Sequence, residues 1–464
     1  MKKDSYTEYK DFAEEFVLPL LSITNNNLLA CYEVEEKYFV KKDNFLLFGN
    51  GENALIKVEY KKEISEDDIN LVNNILQMFF RVSEFNMRTQ NKKRNYFSKN
   101  HLYSNYKLAV QRGICNWITE SNDTCMESLM NILEKWSVQT YEGKKVPFAF
   151  IINPDANKEI LINSELFNNF LKDDFAAVFT DCIETAIELD SKGNLIDYLS
   201  LTEDKIIDSY SLSNYLPLRF SQIVQKFVTG RAIGVFLLAN GDIILSKNQQ
   251  IRLVKRNLKW LNLSFEGFKH SFGHDLEELK ISDELLANIY ASTLDVSFSH
   301  SGGIISVVKD VESITKSDSD GYPILHRCDF LLDKISFEGL TNYFKEKNDE
   351  YEKNGQSHLK VKSYDIDKRI LKRRVLQVLV ADKTFEQMDR KLRSELIALD
   401  GACILNSKGE ICSFGAIIKN DSGSSGGGRG AAAKKLSRFG MAIKISTDGY
   451  IELYIDGNIK YAIK

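Results

Sequence analysis

A chain of 464 residues can form two or three domains, each large enough to bury a core of its own. Hydrophobic residues at 43%, aromatics at 11% and charged residues at 27% exclude a disordered or fibrous chain. The 61 basic and 65 acidic residues leave a net charge of -4, so the molecule as a whole presents no large positive field to a phosphate backbone, and nucleic acid is not an expected partner.

The segment from Met1 to Phe16 has two lysines and then acidic and polar residues, without the apolar core of a secretory signal. The longest apolar runs, 232–239 and 376–381, are far shorter than the roughly 20 residues that span a bilayer. A cytoplasmic chain with no membrane span is expected. Cys31, Cys115, Cys125, Cys182, Cys328, Cys403 and Cys412 form no CxxC pair, which predicts reduced thiols and neither a disulfide framework nor a zinc site.

In chain order, Tyr9, Phe12, Phe16 and Leu20 recur at three to four residues and predict an amphipathic helix over 7–21. Strand-like runs follow at 31–40, 44–48 and 54–60, with a turn at Gly49-Asn50-Gly51. Ser65, with Asp68 three residues later, predicts a capped helix over 65–80. The polar stretch 88–100, with Lys92, Lys93 and Arg94, reads as a connection. Helical periodicity returns at 126–136 and a buried strand at 146–153. Runs at 232–238, 243–245 and 251–254 predict a strand meander whose first turn is Asn240-Gly241. No fixed-period repeat is present, which sets aside solenoids and propellers. The pattern predicts an α/β protein: α+β domains at 1–121 and 122–290, and a third domain at 291–464 with a mixed sheet flanked by helices. Within that domain, 317–321 and 346–358 are polar enough to read as surface insertions.

The carboxy-terminal third carries the strongest pattern. A helical run, 385–399, changes to a strand at Asp400-Gly401-Ala402-Cys403-Ile404-Leu405, and a turn at 406–410 leads to a strand at 411–418. The loop 421–430, rich in glycine and serine and ending at Gly427-Gly428-Arg429-Gly430, opens the helix-forming run 431–436. Such a loop is a phosphate cradle, because its amides approach oxygens closely and a helix amino terminus favours negative charge. It equally suits a flexible connection. Strands at 442–446 and 450–454, joined by Asp448-Gly449, close the chain.

This order resembles the diadenylate cyclase domain of bacterial DisA-like proteins. The likeness covers about 170 residues if Gly302–Val308 is the first strand, and it is strongest over the last 70. Leu399-Asp400-Gly401-Ala402 matches the family's DGA motif, and Ser413-Phe414-Gly415-Ala416 occupies the strand after it. The loop departs: the family has Gly-Thr-Arg-His-Arg, whereas this chain has one arginine. Arg429 falls on the first arginine if Gly427 is the anchor, or on the histidine if Ala431–Ala433 are.

The resemblance implies that two such domains face each other in a homo-oligomer, each holding one ATP, and join the nucleotides into cyclic di-AMP with Mg2+ or Mn2+. It implies Asp400 as the group that activates the attacking hydroxyl or holds the metal, and Arg429 as a phosphate contact. Gly401, Ala402, Gly415, Gly427 and Gly428 would border the nucleotide. Losing an arginine removes a bidentate phosphate clamp, so its charge would have to come from Lys434 and Lys435 or from a basic residue of the facing copy. The alternative is an ATP- or cyclic-dinucleotide-binding regulator without cyclase activity.

Three further clusters have plainer readings. His270, His274 and Asp275 read as a solvated turn, and His300-Ser301-Gly302-Gly303 as a tight turn or a pocket neighbour. The basic run Lys368, Arg369, Lys372, Arg373 and Arg374 reads as the charged outer face of an amphipathic helix.

Overall fold

The computed structural model of the chain describes residues 11–21, 27–30, 39–42, 45–49, 54–59, 65–90, 99–120, 124–201, 215–273, 275–316, 324–326, 329–332, 336–355, 357, 360–380, 382–418 and 427–463. It is an α/β fold whose helices accompany two mixed sheets, a smaller four-stranded antiparallel one and a two-stranded antiparallel pair. Two units divide at 271/272, one comprising Met1–Ser271 with Ile463 and the other Phe272–Ala462 with Lys464. Among the described residues no helix is long and apolar enough to cross a membrane.

The amino-terminal unit begins with a helical stretch at 11–17 that buries Phe12, Ala13 and Val17; residues 7–10 of the expected helix lie outside the described residues. Strands β1 (Asn27–Ala30), β2 (Phe39–Lys42), β3 (Phe45–Gly49) and β4 (Ala54–Glu59) pair antiparallel in the order β1-β4-β3-β2. Most of the strand expected at 31–40 lies outside the described residues. Helix α1 (Glu66–Gln90) starts where the sequence predicts, with the Ser65 hydroxyl accepting from the Asp68 amide at 3.1 Å and donating to its carboxylate at 2.9 Å. Helices α2 (Lys99–Thr119) and α3 (Thr124–Val138) follow.

After a short pair, β5 (Thr140–Tyr141) and β6 (Lys144–Lys145), the remaining strands build a seven-stranded sheet. They are β7 (Phe148–Ile152), β8 (Thr185–Leu189), β9 (Leu195–Ser200), β10 (Ile233–Leu237), β11 (Ile243–Lys247), β12 (Gln250–Arg256) and β13 (Lys259–Asn262), in the order β13-β12-β11-β10-β7-β8-β9. Helices α4 (Ser164–Phe170), α5 (Leu218–Phe227) and α6 (Phe265–His270) connect or follow them. Only β7–β8 is parallel. The expected boundary at 121/122 is corrected: Leu71 of α1 and Ile114 of α2 belong to the same buried cluster as Leu133 of α3, Phe148, Val235 and Leu253. Among the described residues, the buried hydrophobic residues of the helices before that point all belong to this shared core.

The carboxy-terminal unit holds α7 (Asp275–Leu279), α8 (Asp283–Phe298), β14 (Gly303–Val308), α9 (Val311–Thr315), α10 (Phe337–Lys353), α11 (Ser363–Val380), α12 (Arg390–Ile397), β15 (Ala402–Asn406), β16 (Ile411–Ala416), α13 (Gly427–Leu436), β17 (Gly440–Ile445), β18 (Ile451–Ile455) and β19 (Asn458–Ile463). The strand order is β16-β15-β14-β17-β18-β19. β14–β15 is parallel, whereas β15–β16, β14–β17 and β17–β18 are antiparallel. Ile304, Val308, Ala402, Ile404, Ala442 and Tyr454 pack with Ala432, Ala433 and Leu436 of α13. Alternation along the strands turns Ile305, Val307, Cys403 and Ile443 to the opposite face, and all four are buried.

The boundary expected at 290/291 moves to 271/272 because α8, buried nearly all round, packs on β14 and β17. The insertion expected at 346–358 is also corrected in part. Residues up to Lys353 belong to α10, whose Leu340 and Phe344 pack on Ile366 and Ile370 of α11. Its polar residues are the solvent side of that helix, with Lys347 paired to Glu350 at 2.7 Å. Residues 317–321 lie outside the described residues.

Candidate functional site

One end of the six-stranded sheet collects most of the predicted site. The parallel register sets Ile305 beside Cys403, so the turns that precede the two strands, at Gly302 and at Asp400–Gly401, lie at the same end of the sheet. β16 ends at this edge, since Ala416 pairs with Ala402, and so does β17, since Ile445 pairs with Gly303. The turn from β17 to β18 closes it, held by the Ser297 hydroxyl donating to the Gly449 carbonyl at 2.5 Å and by His300 Nδ1 at 3.0 Å from the Thr447 carbonyl oxygen.

Glycine is required where the backbones crowd. Gly401 has φ +115°, and a Cβ there would lie 2.4 Å from the Gly415 carbonyl carbon. Gly415, at φ +62°, returns the constraint, with the Asp400 carbonyl oxygen 3.2 Å from its own Cβ position. The DGA segment and the β16 glycine therefore form one interlocked turn, and Asp400 stands exposed on it.

Two arginines fix the helix that delivers Asp400. Arg390 of α12 grips Asp295 of α8 through Nε at 2.7 Å and Nη2 at 3.0 Å, a bidentate pair. Arg393 is buried and donates to the Asn288 side chain at 2.7 Å and the Phe385 carbonyl at 3.2 Å. Burial pulls its guanidinium down to about 10, so it remains a cation at neutral pH.

Arg429 lies in the first turn of α13, and its Nη1 sits 2.8 Å from where a Gly302 Cβ would be. Gly302, at φ +70°, is thus both the turn before β14 and the floor beneath the guanidinium. Among the described residues no carboxylate pairs with Arg429. Gly427 and Gly428 are exposed at the helix start, the end at which the macrodipole favours negative charge. Residues 421–426 of the expected cradle lie outside the described residues.

Lys434 is not brought to this edge. Its Cε packs 3.9 Å from the Cβ position of Gly457, in the turn after β18 at the far end of the sheet. Lys434 and Lys435 are the last-turn cations of α13, where the carboxyl end of the helix favours positive charge. The expectation that Lys434 borders a nucleotide beside Arg429 is corrected on that ground.

Two other lysines occupy the place. Lys372 of α11 donates to the Gly415 carbonyl at 2.8 Å, against the Asp400–Gly401 turn. Lys444 of β17 has its Nζ 3.9 Å from the Gly430 Cβ position, beneath the first turn of α13, and pairs with Glu452 at 2.8 Å. Glu452 also accepts from the Tyr454 hydroxyl at 2.8 Å, and burial with that carboxylate raises the phenol's pKa. Nothing in the sequence distinguishes Lys372 from its basic neighbours, because only the fold shows which of them meets β16. Helix α8 was legible in principle, since Ser282 caps it and Asp283 and Glu284 fill its first turn.

The expected outer face of α11 is corrected in part: Lys368, Arg369, Lys372 and Arg374 are exposed as expected, but Arg373 is buried, and Leu371, Val375, Val378 and Leu379 share the exposed side. Leu399 and Ile417, flanking Asp400 and Gly415 in sequence, are exposed as well, so the site has an apolar rim.

Among the described residues no group of three His, Cys, Asp or Glu could hold a metal.

No protein-family model, no curated protein and no solved structure matches this chain.

Proposed function

We propose that the chain is a cytoplasmic diadenylate cyclase that joins two ATP into cyclic di-AMP and two pyrophosphates, with the amino-terminal unit as its regulator. The observation that carries this reading is Arg429, a cation without a carboxylate partner among the described residues, seated over Gly302 at the sheet end where Asp400 stands. An anion-binding helix start and an exposed carboxylate at one sheet edge are what phosphoryl transfer asks of a protein: positioning and charge neutralisation.

In this reading the α-phosphate lies against the amino terminus of α13, held by Arg429 and the amides of Gly427 and Gly428. Lys372 and Lys444 stand in for the absent second arginine, Lys444 at reduced effective charge because Glu452 neutralises it. Asp400 accepts the proton of a ribose 3'-hydroxyl as its oxygen attacks the α-phosphorus of the facing nucleotide, and the bond to the β-phosphate oxygen breaks to release pyrophosphate. A second transfer closes the ring. Bound Mg2+ or Mn2+ supplies further charge neutralisation at the phosphates. The exposed Leu371, Val375, Leu399 and Ile417 suit this rim to a second copy.

The test is incubation of the full chain with ATP and Mg2+ or Mn2+, with cyclic di-AMP measured by mass spectrometry and ATP binding by calorimetry. Product is expected, with specific activity rising with protein concentration, and Asp400→Asn should lower the rate by about 10²–10⁴ while leaving ATP binding nearly intact. ATP binding without product would assign a nucleotide-binding regulator instead, and neither binding nor product would overturn both readings.

A further inference from the structure

The amino-terminal unit holds a cavity of about 620 Å3. Asp67, Asn70, Asn74 and Gln77 recur at three or four residues along α1 and form one wall. The end of α2, at Asn116 and Trp117, and the turn between β11 and β12 form the others.

Its charges are spoken for. Arg252 pairs with Asp67 and lies over the Trp117 ring, 5.5 Å from its centroid, while the indole donates to the same carboxylate at 3.2 Å. Lys247 donates to Glu120 at 2.5 Å and to the Ile118 carbonyl at 3.1 Å, and that bond holds the Glu120 carboxyl below its ordinary range. Two cations and two anions, each with its partner, offer an ionic ligand no unpaired countercharge. Of the lining residues only Trp117 and Ile118 are apolar, which also disfavours a hydrophobic ligand.

What remains are the carboxamides of Asn70, Gln77 and Asn248, beside Asn116 and Asn74, the last donating from Nδ2 to the Asn70 carbonyl at 2.9 Å. Each presents a donor and an acceptor in one plane. That geometry matches neighbouring hydroxyl groups, which give and take hydrogen bonds at once. The Asn70, Gln77 and Asn248 side chains have no protein hydrogen-bond partner among the described residues. The volume lies within the range of small-molecule sites.

We propose that this cavity binds a neutral saccharide of one or two rings, read by the amides of α1 and the β11–β12 turn. The recognition is independent of ATP and of the cyclase reading. The test is calorimetric titration of the full chain with glucose, N-acetylglucosamine, maltose and cellobiose, repeated at high sodium chloride. At least one sugar should bind, with an affinity insensitive to salt. The double variant Asn70→Ala/Gln77→Ala should bind it at least about tenfold more weakly. Both positions are exposed or half-exposed, so circular dichroism and the melting temperature should stay unchanged. Flat titrations with all four sugars, or equal binding by the double variant, would overturn the proposal. Binding that weakens steeply with salt would overturn its neutral-ligand basis.

Discussion

The two mixed sheets are alike in plan and unlike in how they treat charge. Each has a single parallel pair among its assigned neighbours, β7–β8 in one and β14–β15 in the other. In the seven-stranded sheet the buried ions are matched: Arg256, 1% exposed, donates from Nε at 2.8 Å and from Nη2 at 2.6 Å to the Oδ2 of Asp242, 5% exposed. Lys255 pairs with Glu134, and Lys158 with Glu188 and Asp197. At the edge of the six-stranded sheet, Arg429 faces a glycine and Lys372 a backbone carbonyl. Matched charge serves the fold, because an uncompensated buried ion is costly. Arg429 and Lys372 are set against backbone, whereas Lys444 at the same edge is matched by Glu452.

Four perturbations sharpen that contrast, read as stability in urea unless stated. Asp242→Ala leaves Arg256 buried without its carboxylate and should cost about 3–5 kcal/mol. Gly401→Ala forces a side chain into Gly415 at a φ that only glycine adopts freely, and should cost about 2–3 kcal/mol together with any ATP binding. His326 comes next, stacked on Phe344 with ring centroids 5.6 Å apart. Burial, aided by Arg369 and Lys347, depresses its pKa from 6.5 to about 4. Its contribution is therefore complete above pH 6.5 and lost as pH falls from 6.5 towards 4, a change of about 3 kcal/mol. In His326→Phe that part of the pH dependence should vanish. Arg429→Ala has the smallest effect on stability, within about 0.5 kcal/mol, since no carboxylate is orphaned. Yet calorimetry should show ATP binding weakened about tenfold, and Arg429→Lys should recover only part of it. A large stability loss in Arg429→Ala would make it a structural cation and remove the contrast.

Local signals carried the sequence reading where the chemistry is local. Ser65 with Asp68, the Asn240-Gly241 turn and the Asp400-Gly401-Ala402 junction each state a cap or a turn within four residues, and each stands where expected. Long-range pairing was not legible. Nothing near Lys372 says that it reaches Gly415, and nothing near Lys434 says that the helix turns it away from Arg429. The domain boundaries were misplaced for the same reason, because α1 and α2 show their apolar faces without showing which sheet will cover them. Helix α10 was obscured by its polar face, a single stripe of Leu340 and Phe344 being enough to seat it.

The parallel register of β14 and β15 has a kinetic consequence. Gly302, Asp400, Gly415 and Arg429 come together only after distant segments have closed on one another, and such closures are entropically late in folding. The edge should then be among the first parts to open in the native protein. Amide exchange at Gly401 to Cys403 and at Arg429 to Ala431 should be quicker than in the strand centres around Ile305 and Ile443. A bound nucleotide should slow it at both segments together.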